Sequence, residues 1–302
     1  MTPEALVAWC PAKVNLSLRV LGRRDDGYHE LDTYFQAIDL WDRIEVRPHD
    51  RLSLACDDAR VGEGPDNLVL RAATALRGLA PVPGVGAAFR LTKRIPVQGG
   101  LGGGSSDAAG TLLLCARLWN VDPGPERMQA LAEALGADVP FFLFGGTAHG
   151  TGRGDRIRPV PYLGDLPILL GVPAFGMSTR EVFAALGERL TPQAAGVSVR
   201  AFSGPKCRGD NDFSFMINDL ESVVFAARGE LRTFRDALVD AGALGALLCG
   251  SGSSVFGLYP EGFDLAPVAR GLRERFARWT VVATRAVARG AYVAAPAEGG
   301  AG

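Results

Sequence analysis

An α+β fold in two domains is what this sequence predicts, and three observations carry the prediction. Strand-type alternation opens the chain, helix-type runs follow at 67–79, 108–119 and 125–135, and a glycine-rich passage at 145–156 interrupts the pattern. Beyond it, a helix–strand–strand–helix–strand order fills 230–287. Mixed order of this kind suits helices packed on largely antiparallel sheets. Composition allows it: 302 residues, 47% hydrophobic and 22% charged, are ordinary globular values, so a fibrous or wholly disordered chain is excluded. The length suffices for two modest cores.

The elements follow in order. Val14, Leu16, Leu18 and Val20 alternate with Lys13, Asn15, Ser17 and Arg19, the period of a half-buried strand with Lys13 and Asn15 on its polar face. A turn is expected at 22–27, then extended chain from Tyr28 to Val46. A helix is expected over 67–79, and a strand through Phe89, Leu91 and Lys93 running toward Pro96. The next helix, 108–119, has Ser105, Ser106 or Asp107 to cap it. Another has Pro125 near its start, Met128, Leu131, Ala132 and Leu135 at helical spacing, and Gly136 at its end. Asp138 comes directly after, before an apolar run from Phe141 to Phe144.

A domain boundary is placed after the glycine-rich passage, giving 1–157, 158–292 and a loose tail at 293–302. In the second domain, Ile168–Val172 reads as a buried strand and Thr179–Leu186 as a helix, while 187–212 is polar and irregular. The alternation after it, Glu230–Ala241, Ala246–Cys249, Val255–Leu258, Leu265–Ala277 and Thr280–Val287, is of ferredoxin-like type.

Charge and cysteine usage narrow the partners. Lys+Arg 32 against Asp+Glu 33 leaves a net charge of -1, so no global basic field holds nucleic acid or an anionic membrane. The five cysteines, Cys10, Cys56, Cys115, Cys207 and Cys249, contain no CxxC and read as reduced thiols. With no leader pattern and no apolar run of membrane-spanning length, a cytoplasmic setting is expected. Only Lys13, Lys93 and Lys206 are lysines, so a lysine at a motif position carries weight.

Five glycines in residues 99–104, running into Ser105, Ser106 and a helix, are costly in chain entropy. A phosphate chain needs that arrangement, because backbone N–H groups must approach it closely and a helix N-terminus adds partial positive charge. The run is not a Walker A motif, since no lysine stands between Gly and Ser or Thr, and it does not match G-x-G-x-x-G. Neither His-Arg-Asp nor Asp-Phe-Gly occurs, which excludes a protein-kinase site.

What remains resembles the GHMP kinase family of small-molecule kinases. Its three motifs fall, in order, at Pro11-Ala12-Lys13-Val14-Asn15-Leu16, at Pro96 to Ala109, and at Gly250-Ser251-Gly252-Ser253-Ser254-Val255-Phe256. The resemblance covers about residues 9–290. It implies an N-terminal domain like ribosomal protein S5 and a C-terminal ferredoxin-like domain. Gly27-Tyr28-His29-Glu30-Leu31 and Gly136-Ala137-Asp138-Val139-Pro140-Phe141-Phe142 resemble a branch whose acceptor is a cytidine diphosphate carrying methylerythritol, phosphorylated at its 2-hydroxyl in isoprenoid precursor synthesis.

The resemblance then distributes roles. On spacing alone Asp138 either caps the helix opened by Pro140 or serves as a base; the resemblance selects the base, with Lys13 stabilising the nucleophile. ATP is implied at Pro96, Gly99, Gly100, Leu101, Gly102, Gly103, Gly104, Ser105 and Ser106, with Asn67 either at the adenine or capping its helix. Mg²⁺ is implied between the β- and γ-phosphates; no carboxylate cluster marks its ligands, and Ser105 and Ser106 offer hydroxyls. Tyr28 and Phe183 are implied as the pair stacking the cytosine, His29 at its edge, and Asn15 and Thr179 on the polar acceptor chain. Read without the resemblance, Phe183 could be helix core, His29 a local cap, and Gly250-Ser251-Gly252 only a hairpin turn. The rival readings are a homoserine- or mevalonate-type kinase of this family and a nucleotide sensor without catalysis.

Overall fold

The computed structural model describes residues 5–82, 84–187 and 213–294. Its first sheet is built on two long strands, β1 (Leu6–Arg23) and β2 (His29–His49), paired antiparallel along almost their whole length. Strands of 18 and 21 residues exceed the usual length because β2 serves two neighbours. Its second half pairs with β4 (Gly86–Thr92), and β4 pairs in parallel with β3 (Leu52–Cys56). The first half of β2 pairs with β5 (Thr147–Gly152), and β5 with β6 (Arg156–Pro159).

Four helices cover one face: α1 (Leu68–Arg77), α2 (Gly103–Leu118), α3 (Gly124–Leu135) and α4 (Val139–Phe144). They close a core with β1, β2 and β4 that includes Phe35, Ile44, Phe89, Leu112, Phe141 and Phe142. As expected from the sequence, Pro125 opens α3 and Gly136 ends it.

The second sheet has the order β10-β7-β9-β8, all antiparallel, from β7 (Pro167–Val172), β8 (Gly245–Leu248), β9 (Val255–Leu258) and β10 (Thr280–Arg285). Helices α5 (Thr179–Gly187), α6 (Glu221–Ala227), α7 (Gly229–Asp240) and α8 (Leu265–Arg275) complete the ferredoxin-like connection. A further core, with Val14, Leu16 and Ile38 from the first sheet and Ile168, Leu170 and Phe256 from the second, lies between the two sheets.

Several expectations change. The alternation at 13–20 does not mark a solvated face. The second sheet covers the apolar side at Val14 and Leu16. Lys13, Asn15 and Ser17 are buried on the other, where Gly102 of the glycine loop and Gly250 after β8 lie close over Lys13 and Asn15. The helix expected from Ala108 starts at Gly103, and no side chain caps it, so Ser105, Ser106 and Asp107 lie inside the helix. The glycine-rich passage at 145–156, expected to interrupt the pattern, forms β5 and the start of β6, since glycines there permit close sheet packing against Phe35. Tyr292 and Val293 form β11, which returns to the edge of β1, and Ala294 donates its N–H to the Val7 carbonyl. The readings of 188–212, with Lys206 and Cys207, and of 295–302 lie outside the described residues.

Candidate active site

Lys13 stands in the middle of β1, 4% exposed. Its Nζ donates to Asn15 Oδ1 at 2.8 Å and lies 3.4 Å from Asp138 Oδ2. Asn15 Nδ2 in turn donates to Thr33 Oγ1, and Thr33 Oγ1 donates to the Ser17 carbonyl. This chain of bonds fixes the amide orientation so that its oxygen faces the ammonium. Phe35 lies beneath, its ring centroid 5.5 Å from Nζ. A buried ammonium is costly unless partnered, and here one carboxylate and one amide oxygen partner it.

Asp138 precedes α4, yet its side chain makes no capping hydrogen bond. The carboxylate instead turns toward Lys13 and keeps 32% side-chain exposure, so a substrate hydroxyl can reach it. The two residues, far apart in sequence, are brought together by α4 packing against α2 and, through Phe141 on Phe35, against β2.

The glycine loop lies beside this pair. Lys13 N–H donates to the Leu101 carbonyl at 3.0 Å, and Ser254 N–H to the Gly99 carbonyl at 3.0 Å. Gly100 has φ of +76°, and a Cβ there would lie 2.0 Å from the Cys249 carbonyl oxygen. At Gly102 (φ +72°) a Cβ would strike the Phe142 ring. Backbone is therefore threaded between the third motif and α4 where no side chain fits. The uncapped N-terminus of α2 opens into a cavity of about 370 Å³ lined by Asn67, Pro96 and Gly99 to Ser105. Ser106, expected here as well, is buried off the cavity wall, its hydroxyl without a hydrogen-bond partner. Asn67 both lines the cavity and caps α1, its Oδ1 accepting Val69 N–H at 2.9 Å and its Nδ2 donating to the Gly62 carbonyl.

Sequence reasoning missed a buried charge cluster under this cavity. Lys93 Nζ contacts Asp42 Oδ2 and lies 2.8 Å from Asp107 Oδ2, and all three side chains are buried. Asp42 Oδ1 also accepts the N–H groups of Arg94 and Ile95. The cluster thus ties β2, the entry to the glycine loop and the first turns of α2 together. Burial pushes the Asp107 carboxyl up to about 7, with Lys93 pulling it down and Asp42 adding to the rise. Burial depresses the Lys93 ammonium, and Asp107 and Asp42 more than reverse this, leaving it raised. The one signal available in the sequence was the scarcity of lysine.

The larger cavity, about 1260 Å³, holds the expected acceptor residues together: Lys13, Asn15, Tyr28, His29, Thr179 and Phe183 all line it, with Asp138. Phe183 stacks on His29, with centroids 5.1 Å apart. Tyr28 is 57% exposed and lies under the Arg153 guanidinium, 5.1 Å from its ring. His29 begins β2, while Tyr28 stays in the preceding turn. Burial, then the Arg23 charge, lowers the His29 pKa, and its Nε2 is buried with no hydrogen-bond partner among the described residues. The third motif is more than a hairpin turn. Ser251 Oγ is 2.8 Å from Thr179 Oγ1, and Gly250 and Ser251 line the larger cavity.

The family follows from two matches within the chain. The GHMP kinases N terminal domain matches residues 67–146, and the GHMP kinases C terminal domain matches residues 204–278. The chain belongs to the GHMP kinase family. Among curated relatives of this GHMP kinase, 4-diphosphocytidyl-2-C-methyl-D-erythritol kinase of Pelotomaculum thermopropionicum is 44% identical over 84% of the chain and 88% of that protein. The enzyme of the same description from Ruegeria pomeroyi is 42% identical over 89% of the chain and 94% of that protein. A crystal structure of 4-(cytidine 5'-diphospho)-2C-methyl-D-erythritol kinase superposes with a TM-score of 0.76 at 38% identity, covering 93% of this chain and 98% of the other. Homoserine kinase from Cytophaga hutchinsonii also gives a TM-score of 0.76, over 97% of this chain and 99% of that one, but at 20% identity it shows the shared fold alone. Among the described residues, no helix is long and apolar enough to cross a membrane.

Proposed function

We propose that this chain is an ATP-dependent kinase that transfers the γ-phosphate to the 2-hydroxyl of 4-diphosphocytidyl-2-C-methyl-D-erythritol, a step in isoprenoid precursor synthesis. One observation carries the catalytic part: the Lys13–Asp138 pair at 3.4 Å, partly open to a large cavity and adjoining a side-chain-free helix N-terminus. The acceptor is supported by the shared description of relatives at 44% and 42% identity and near-full coverage.

In this reading Asp138 accepts the proton of the attacking hydroxyl, and Lys13 stabilises the oxyanion as it forms. Asn15 and Thr33 hold Lys13 in place. The backbone of residues 99–105 cradles the phosphates, and the α2 N-terminus adds its partial charge. His29 Nε2, buried and unpartnered, is available to the base edge once the cytosine enters. Transfer is direct, because positioning and electrostatics suffice for a loose phosphoryl transition state.

Mg²⁺ in such kinases arrives on the phosphates, takes only one or two protein ligands and neutralises charge on the transferring group. Among the described residues no cluster of three acidic, His or Cys ligands exists. Asp107 Oδ1, buried without a hydrogen-bond partner beside the phosphate cavity, and the Ser105 hydroxyl on its wall fit that modest requirement and would hold the ion. The division into two domains belongs to the same proposal, with the cleft between the sheets as the reaction chamber.

The test compares ADP release with the cytidylyl acceptor, homoserine and mevalonate at equal concentration. Turnover is expected with the first alone. Turnover of homoserine or mevalonate instead would overturn the acceptor, and no ADP with any of them would overturn catalysis.

A further inference from the structure

The acceptor proposed above carries a diphosphate between its cytidine and its methylerythritol, and none of the roles assigned so far meets that charge. Among the described residues, Lys13, Arg23, Arg153 and Arg180 are the lysines and arginines that reach the larger cavity. Lys13 is committed to Asp138 and Asn15. Position along β2 discriminates among the rest.

Thr33, bonded to Asn15, marks the end where transfer occurs, and His29, stacked on Phe183, marks the end for the base. Both line the cavity, as does Leu31 midway between them. At about 3.3 Å per residue, the two ends lie roughly 13 Å apart. The diphosphate stands between base and reacting hydroxyl in covalent order, so it crosses the strand near Leu31. The residue paired with Leu31 on β5 is Gly152, and Arg153 and Gly154, which follow, line the cavity there. Arg23 instead pairs with His29 at the base end, and Arg180 is exposed at the start of α5.

Arg153 is also held ready. Asp155 Oδ2 accepts from its Nε at 2.8 Å and lies 2.7 Å from its Nη2, and Asp155 Oδ1 accepts its backbone N–H at 3.1 Å. The Tyr28 ring lies against the guanidinium at 5.1 Å. One edge and one face are thereby fixed, while among the described residues Nη1 has no protein acceptor. A planar donor pre-oriented in this way suits phosphate oxygens better than a mobile lysine.

We propose that Arg153 binds the diphosphate of the acceptor, with Asp155 and Tyr28 as its positioning residues. The proposal rests on the cytidylyl acceptor read above. It gives the Tyr28 ring a second role under Arg153: the ring orients the arginine and still borders the base site.

The test measures binding of CDP and cytidine to the wild-type enzyme, R153M and R153K, together with steady-state kinetics on the full acceptor. Wild type is expected to bind CDP more tightly than cytidine. R153M should lose about 10- to 100-fold in CDP affinity, as for one or two charge-assisted hydrogen bonds, and leave cytidine unchanged. KM for the acceptor should rise by a similar factor and KM for ATP stay constant, with R153K recovering part of the loss. Equal loss of CDP and cytidine would show that Arg153 only supports the Tyr28 ring and would overturn the assignment, as would unaltered CDP binding. If wild type binds neither CDP nor cytidine, the acceptor reading itself falls and the assignment falls with it.

Discussion

The Lys13 ammonium is almost wholly removed from water, and Asp138 is the carboxylate that neutralises it. Replacing that carboxylate by an amide of the same shape removes the proton acceptor while leaving the phosphate cradle intact. Asp138→Asn is therefore expected to lower kcat by about 10²–10⁴ with little change in KM for ATP. Steady-state rates from coupled ADP detection check this, and near-wild-type turnover would dismiss Asp138 as the base. At this scale the sequence was informative for Lys13 and Asp138, because both stand in motifs of fixed spacing. It was uninformative for Lys93, whose partners Asp42 and Asp107 lie 51 and 14 residues away. Nothing in local periodicity reports that a lysine at the end of a strand will be covered by the first turns of a helix.

Among the elements, the glycine loop and α2 show how one run of glycines divides into different roles. Gly100 needs its positive φ and its missing side chain, since a Cβ would lie 2.0 Å from the Cys249 carbonyl oxygen and 2.9 Å from that of Gly252. Neither neighbour can yield, because both are backbone carbonyls, one within the third motif and one directly before it. Gly104 lies inside α2 and would present a Cβ to Leu68 Cδ1 at 3.4 Å, an ordinary contact. Gly100→Ala is expected to lower the melting temperature by roughly 5 °C or more, from strain of on the order of 1–3 kcal/mol plus the clash. Gly104→Ala should leave it equal or higher, since alanine is the better helix former by about 1 kcal/mol. Thermal melts of the two variants decide the matter, and the opposite ranking would refute the division. The sequence located this loop but put the helix start five residues late. Ser105, Ser106 and Asp107 have good capping chemistry, and only the packing of Ile95 and Phe142 around Gly102 and Gly103 fixes the earlier start.

For the whole molecule, the decisive feature is the core shared by the two sheets. Val14, Leu16 and Ile38 pack with Ile168, Leu170 and Phe256, and backbone bonds cross between the halves, from Leu18 N–H to the Ile217 carbonyl and from Val287 N–H to the Ala37 carbonyl. Each half has a core of its own, and this shared one is buried only when both halves are folded together. Calorimetry should accordingly give one cooperative unfolding transition with no separately melting domain. Two resolved transitions would mean that the shared core contributes little. The return of Tyr292 and Val293 to the edge of β1 has the same consequence, since the C-terminal end of the described chain is secured on the N-terminal sheet.

Local chemistry in the sequence determined the element types, the ferredoxin-like order of the second half and the motifs that contain Lys13 and Asp138. Spacing and composition encode these directly, because the type of a strand, a helix or a bare-backbone loop depends largely on its own few residues. The tertiary structure alone decided that the polar side of β1 faces a cleft rather than solvent. It likewise decided that Lys93 joins two distant aspartates and that His29 stacks on Phe183. Each of those is a contact between segments remote in sequence, set by how two sheets and their helices share one interior, and no short-range pattern records it.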